Sequence, residues 1–167
     1  MASSMLASTK RILVPIDEKE HCVRAFDWYL DNYGQDKQEI ILLHVYSSID
    51  HVTQYSDNDS QEASEMRVDE MKNIFKAANA NARGMLEKFE EKCKKFKVPY
   101  RSLIELGTPG DAICKVAKGE NITCIVLGHR GLGAFRRTIL GSVSDHVVHH
   151  TRVPVLLVPP KEPHFSG

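Results

Sequence analysis

The chain has 167 residues, 42% of them hydrophobic and 26% charged, the balance of a soluble globular protein of about one domain. Lys+Arg and Asp+Glu are equal at 22 each, which argues against a dedicated nucleic-acid binder, a class that carries a basic surplus. The four cysteines, Cys22, Cys93, Cys114 and Cys124, include no C-x-x-C pair, so they read as reduced, mostly buried thiols and signal neither a zinc site nor disulfides.

Residues 1–9 hold no apolar core of signal-peptide length and read as a tail. No apolar run approaches the roughly 18 residues of a membrane span, so no membrane partner and a cytoplasmic location are expected. The first strand is predicted over Ile12-Leu13-Val14-Pro15-Ile16, a β-branched and nearly continuous apolar run. Such runs belong to strands buried on both faces, as in a parallel sheet covered by helices. His21 to Tyr33 places Cys22, Ala25, Phe26, Tyr29 and Leu30 on one helical stripe, with Gly34 as the stop. The second strand is Ile40 to Val45. Residues 47–64 are polar, without apolar period, and read as a long solvated loop. From about Glu65 to Lys97 an amphipathic helix is predicted, carrying Met71, Ile74, Phe75, Ala78, Ala82, Met85, Leu86 and Phe89. The remaining elements are a strand over Tyr100 to Leu106, a helix over Pro109 to Lys118, a strand over Ile122 to Leu127, a helix over Ser142 to Thr151, and a proline-bounded run over 153–159 that suits a sheet edge. The alternation predicts one α/β domain over 10–160, an open parallel five-stranded sheet with helices on both faces, followed by a tail over 161–167.

The segment from Gly128 to Ser144 follows the fourth strand and opens into the last helix. Ligands of open α/β sheets bind beyond the carboxyl ends of the strands, so this is where a ligand is expected. Gly128 and Gly131 would permit positive φ and close backbone approach. Gly141-Ser142 stands at a helix start, with free N–H groups and the positive end of the helix dipole. Ser142 and Ser144 add hydroxyls, and Arg130, Arg136 and Arg137 lie in a stretch with no acidic residue. Together these features suit a polyphosphate. Neither the P-loop G-x-x-x-x-G-K-[ST] nor the dinucleotide G-x-G-x-x-G is present in the required place.

Gly128-x2-Gly131-x9-Gly141-Ser142 resembles the G-2x-G-9x-G-[ST] signature of the ATP-binding universal stress proteins. The resemblance runs along the chain, through Ile12 to Asp17, Leu42 to Val45, Gly107-Thr108-Pro109 and Pro154 to Val158. It implies a Rossmann-like fold of the adenine nucleotide alpha hydrolase kind, and ATP with Mg²⁺ as cofactor. It also implies roles for particular residues. Pro15, Ile16 and Asp17 would lie beside adenine and ribose, with Val45 packed on the base. Leu127, Gly128 and Gly131 would line ribose and phosphates, and Gly141, Ser142, Val143 and Ser144 would bind phosphate. His129 and Arg130 are placed to touch phosphate, as are Arg136 and Arg137. In such proteins the closing strand pairs with its copy in a second subunit, so a homodimer through 153–159 is expected. One departure lies at Glu18-Lys19-Glu20, where the family more often carries a small residue and Ser, which leaves the adenine end less secured than the phosphate end.

The implied function is a nucleotide-dependent stress-response or signalling module. The alternative is a slow ATPase or adenylate-transferring enzyme, but phosphoryl transfer needs a group to orient the nucleophile, and between 128 and 144 there is no carboxylate. Asp17 alone stands near the pocket, where it would equally serve as a helix cap. His146, His149 and His150 fall at i, i+3 and i+4 without an evident carboxylate partner and read as a solvated helix end, where protonated histidine is favourable.

Overall fold

A computed structural model of the chain describes residues 9–34, 36–47, 61–129 and 140–160, with side chains left aside over 61–71 and at 74, 75 and 78. Its elements follow in strict alternation: β1 (Lys10–Pro15), α1 (Glu20–Tyr33), β2 (Gln38–Tyr46), α2 (Gln61–Phe96), β3 (Tyr100–Leu106), α3 (Pro109–Gly119), β4 (Cys124–Gly128), α4 (Ser142–His150) and β5 (Val155–Val158). The strands form one parallel sheet in the order β3-β2-β1-β4-β5, with β1 central.

The continuous apolar runs of β1 and β2 are divided between two cores by the pleat. Ile12, Val14, Ile40 and Leu42 face one side, where Ala25, Phe26 and Leu30 of α1 meet Leu86, Phe89 and Cys93 of α2. Leu13, Ile41 and Leu43 face the other, against Ile113, Val116 and Ala117 of α3 and Val147 of α4. Neighbouring residues of one strand therefore serve opposite cores, as their period of two requires. Phe26 and Phe89 lock α1 to α2 edge to face, with centroids 5.1 Å apart. At the opposite end from the strand termini that carry the loops, Glu39 bridges Arg11 (3.2 Å) and Arg101 (3.1 Å), and Arg101 also reaches Glu120 (2.6 Å).

The element boundaries differ from the sequence expectation for local reasons. α2 begins at Gln61, so the last residues of the expected 47–64 loop are helical, while residues 48–60 lie outside the described residues. β4 starts at Cys124 and not at Ile122, because Asn121 turns left-handed (φ 52°) and the Ile122 N–H closes α3 on the Ala117 carbonyl at 3.3 Å. Lys97 (φ 58°) ends α2 in the same way, with Val98 N–H on the Cys93 carbonyl at 3.0 Å. β5 shortens to 155–158, since Pro154 offers no N–H and its carbonyl takes the Ile125 N–H at 2.9 Å. The cysteines also depart from expectation: Cys93 is buried, but Cys22, Cys114 and Cys124 are partly exposed. No helix among the described residues is long and apolar enough to cross a membrane.

Burial foremost, with the Glu90 carboxylate adding, pushes the Cys93 thiol up to about 12. A group with a raised folded value contributes stability that is fully present below its unfolded value and is lost as pH rises toward the folded one. For Cys93 that window runs from the ordinary thiol range of about 8.5 up to about 12. Thermal unfolding of Cys93→Ala should therefore fall less steeply across this window than unfolding of the parent chain. Parallel curves would mean that the buried thiol does not govern alkaline stability.

Candidate functional site

β1 is followed by β2 on one side of the sheet and neighboured by β4 on the other, so the chain leaves β1 and β4 in diverging directions at their carboxyl ends. Such a divergence opens a crevice that neither helical layer covers. Here it is a cleft of about 1240 Å³, larger than the ~300–1,000 Å³ of an ordinary small-ligand site.

Each strand end and helix start contributes to it. From β1 and the turn after it come Pro15, Ile16 and Asp17; from β2 comes Val45; from β4 come Leu127 and Gly128. The start of α4 supplies Gly141, Ser142, Val143 and Ser144. These expected site residues, distant in sequence, all line one cleft. His129 does not: its N–H donates to the Val158 carbonyl at 2.8 Å, its own carbonyl accepts from Arg24 at 2.7 Å, and its Nδ1 is buried without a partner. Arg130, Gly131, Arg136 and Arg137 lie outside the described residues.

At the phosphate end as expected from sequence, α4 starts at Gly141 in extended conformation (φ −64°, ψ 154°) with no side-chain cap. Its first N–H groups are thus not taken by a capping side chain, and the positive end of the helix points into the cleft. The other end is built on a tight turn. Asp17 Oδ1 accepts the Lys19 N–H at 2.8 Å, Oδ2 pairs with the Lys19 ammonium at 3.1 Å, and the Cys22 N–H closes on the Lys19 carbonyl at 3.0 Å. Asp17 is therefore no N-cap of α1; Lys19 occupies that position. Burial pushes the Asp17 carboxyl up, but hydrogen bonds from the Cys22 thiol and from Lys19 outweigh it and leave the carboxyl below its ordinary range. The same contact works the other way on the thiol, where burial and then Asp17 push Cys22 up to about 12.

The structure also assigns lining residues that the sequence reading missed. Ala77, Asn81, Gly84 and Lys88 recur along one face of α2 and overhang the cleft, presenting an amide and an ammonium. Their spacing of four, three and four residues follows the helical period, yet they lie beside the apolar stripe and look like ordinary solvated positions. His44 lines the cleft as well, its ring Nδ1 3.1 Å from the Ile16 carbonyl across the β1–β2 pair. The histidines of α4 need correction. His146 Nε2 stands 2.9 Å from Asp111 of α3, and its ring stacks on His150 at 4.1 Å. That partner comes from another helix, where sequence spacing could not reveal it, whereas His149 Nε2 stands 3.6 Å from Asp145 one turn earlier on α4, a carboxylate the spacing does offer.

Gly128 has a reason beyond ligand approach. A Cβ there would stand 2.5 Å from the His21 carbonyl carbon and closer still to its oxygen. Its φ is not positive; among the described glycines only Gly107 (φ 129°) turns that way. Position 128 is thus a glycine because α1 backbone presses on the end of β4.

The model of the universal stress protein family matches residues 8–159. A universal stress protein A-like protein from Arabidopsis thaliana is 33% identical over 140 residues, covering 82% of this chain and 77% of that protein. The solved structure of MJ0577 superposes with a TM-score of 0.72 at 25% identity, covering 92% of this chain and 98% of that one; the protein comes from Methanocaldococcus jannaschii. A family member from Arabidopsis thaliana, solved with AMP bound, superposes with a TM-score of 0.63 at 25% identity, covering 93% of this chain and 97% of that one.

Gly128→Ala should destabilise the protein by about 1–3 kcal/mol, the usual cost of overpacking, because the obstructing atoms are backbone and cannot swing aside. Denaturant unfolding would register this as a lower midpoint; an unchanged midpoint would mean that α1 does not press on β4.

Proposed function

This chain belongs to the universal stress protein family, and we propose that it binds ATP, with Mg²⁺, in the cleft at the carboxyl edge of its sheet. The observation that carries the reading is the convergence of two unlike ends on one crevice. The uncapped start of α4, with Ser142 and Ser144, offers N–H groups and hydroxyls to an anion. The β1 turn and β2 offer Ile16 and Val45 as apolar walls and Asp17 as an acceptor, which suits a base and a ribose. The site residues present therefore fit an adenine nucleotide. The AMP-bound Arabidopsis relative supports an adenine nucleotide as the class of ligand.

In this reading Pro15, Ile16 and Val45 hold the base, Asp17 accepts from the ribose hydroxyls, and the backbone of 141–144 holds phosphate. The bound metal would neutralise phosphate charge. Arg130, Arg136 and Arg137 add positive charge from the loop, and Lys88 and Lys19 line the cleft as further cations. Nucleotide occupancy then acts as a signal: it stabilises the domain or changes the surface shown to partners. We further propose that the chain forms a homodimer through residues 153–159, since β5 is the last strand of the sheet and its Val155, Leu156 and Leu157 are only partly buried.

Thermal unfolding with ATP, ADP, AMP and GTP, with and without Mg²⁺, tests the nucleotide reading. Ligand at about a hundredfold its dissociation constant adds ~2.7 kcal/mol. For this chain length that is a shift of roughly 5–10 °C. A shift with ATP that is smaller with AMP and absent with GTP is expected, and Arg136→Ala and Arg137→Ala should weaken ATP more than adenosine. No shift with any nucleotide at millimolar concentration would overturn the reading. For the dimer, Leu156→Glu should sediment as a monomer, and a persisting dimer would place the interface elsewhere.

A further inference from the structure

The turn between β1 and α1 gathers three metal-ligating side chains of different chemistry. A carboxylate oxygen of Asp17, a ring nitrogen of His21 and the Cys22 sulfur all lie within 4.8 Å of one another, each partly buried. All three also line the cleft. We propose that this turn is a binding site for a borderline-soft divalent cation of the Zn²⁺ class, with Asp17, His21 and Cys22 as its protein ligands and a fourth position open to the cleft. The proposal does not depend on nucleotide binding.

The donor set selects the metal. Mg²⁺ demands an octahedral shell of oxygen and keeps its waters, so a thiolate and an imidazole exclude it here. Sulfur, nitrogen and oxygen together suit a four-coordinate borderline-soft ion. Zinc–ligand bonds of about 2.0–2.3 Å place tetrahedral ligand atoms roughly 3.3–3.8 Å apart, so ligand atoms within 4.8 Å of one another need to close by no more than ~1–1.5 Å. Side-chain rotation supplies that, because the backbone beneath is already fixed. The Lys19 N–H holds Asp17, the Cys22 N–H closes on Lys19, and α1 is pressed against Gly128. The Cys22 sulfur and an Asp17 carboxylate oxygen already lie within 4.8 Å of each other; metal binding displaces the thiol proton, which leaves to solvent.

Two nearby positive charges oppose binding, as does the burial that pushes the Cys22 thiol up, and each of the two charges has an answer in the site. The Lys19 ammonium sits 3.1 Å from Asp17 Oδ2, but that side chain is 59% exposed and free to swing into solvent. The start of α1 carries a partial positive charge. A carboxylate and a thiolate bring two negative charges, which neutralise a divalent ion and leave the helix end facing a neutral complex. Three protein ligands with an open fourth position is the arrangement of zinc sites that bind an exchangeable ligand. The class of ligand is a water or an anionic oxygen entering from the cleft.

Cobalt(II) tests the site, because a thiolate-to-cobalt charge-transfer absorption arises only where sulfur ligates. The full chain, reduced and free of nucleotide, should develop this band to saturation at one equivalent of Co²⁺ and lose it on adding Zn²⁺. Cys22→Ser should abolish the band, and Cys114→Ser should leave it intact. His21→Gln should weaken Co²⁺ binding by ~100-fold or more, since even residues that only orient a ligand are worth about 10–100-fold. His149→Ala, on the far helix α4, should leave it unchanged. No saturable thiolate band in the parent chain, or a band that survives Cys22→Ser, would overturn the site. If Cys22→Ser does not fold, the His21→Gln titration decides: unchanged affinity overturns it. Failure here leaves the ATP thermal shift untouched, and failure of that shift leaves this titration untouched.

Discussion

The first turn of α1 lies against the end of β4 so closely that one methyl group at position 128 would overlap the backbone of His21. Much at the carboxyl edge of the sheet depends on that contact. It fixes where α1 begins, and hence where Asp17, His21 and Cys22 stand relative to the strand that leads into the glycine-rich loop. Arg24, one turn further along α1, reinforces it by donating to the carbonyls of both His129 (2.7 Å) and Pro159 (3.1 Å). The ends of β4 and β5 are thereby tied to the same helix that carries the Asp17 turn. Packing and hydrogen bonding together make one rigid wall of the cleft from segments more than a hundred residues apart.

The rest of the architecture leaves the cleft as the open side of the described structure. Both faces of the sheet are sealed by helices, with core residues such as Phe26, Leu42, Ile41 and Ile125 fully removed from water. The amino-terminal edge is laced by Arg11, Glu39, Arg101 and Glu120, whose partners are one another. Such exposed ion pairs add little stability each, but they satisfy the charges in place. At the opposite edge the pattern reverses. Backbone groups at the start of α4 have no capping side chain, and the strands diverge. Unspent hydrogen-bonding capacity beside an apolar wall is the physical condition for recognising a ligand that is part anion and part ring.

Sequence patterns predict local structure well where a single physical constraint acts. The β-branched runs at 12–16 and 40–45 read as doubly buried strands because both neighbours of each residue meet a core. The proline-flanked run at 153–159 reads as an edge strand because proline withholds a donor, and β5 is last in the sheet. Gly141-Ser142 marks a helix start, and α4 begins there. Ends set by longer contacts were less legible. Asn121 and Lys97 close helices in left-handed conformations that glycine would have advertised.

The sequence by itself determined the fold class, the alternation of strands and helices and the family resemblance, and through that resemblance it led to the expectation that Pro15, Ile16, Asp17, Val45, Leu127, Gly128 and Gly141 to Ser144, which line one cleft, share a site. These follow from period, punctuation and motif, which are local properties that any reader of the chain can count. Only the tertiary structure decided that α2 lends Asn81 and Lys88 to the cleft, that His146 faces Asp111 from a different helix, and that Gly128 is a glycine because another backbone occupies the space of its missing side chain. Those facts depend on the angle and distance at which separate elements pack. Such distances are set by all the side chains between two elements at once, so no short stretch of sequence records them.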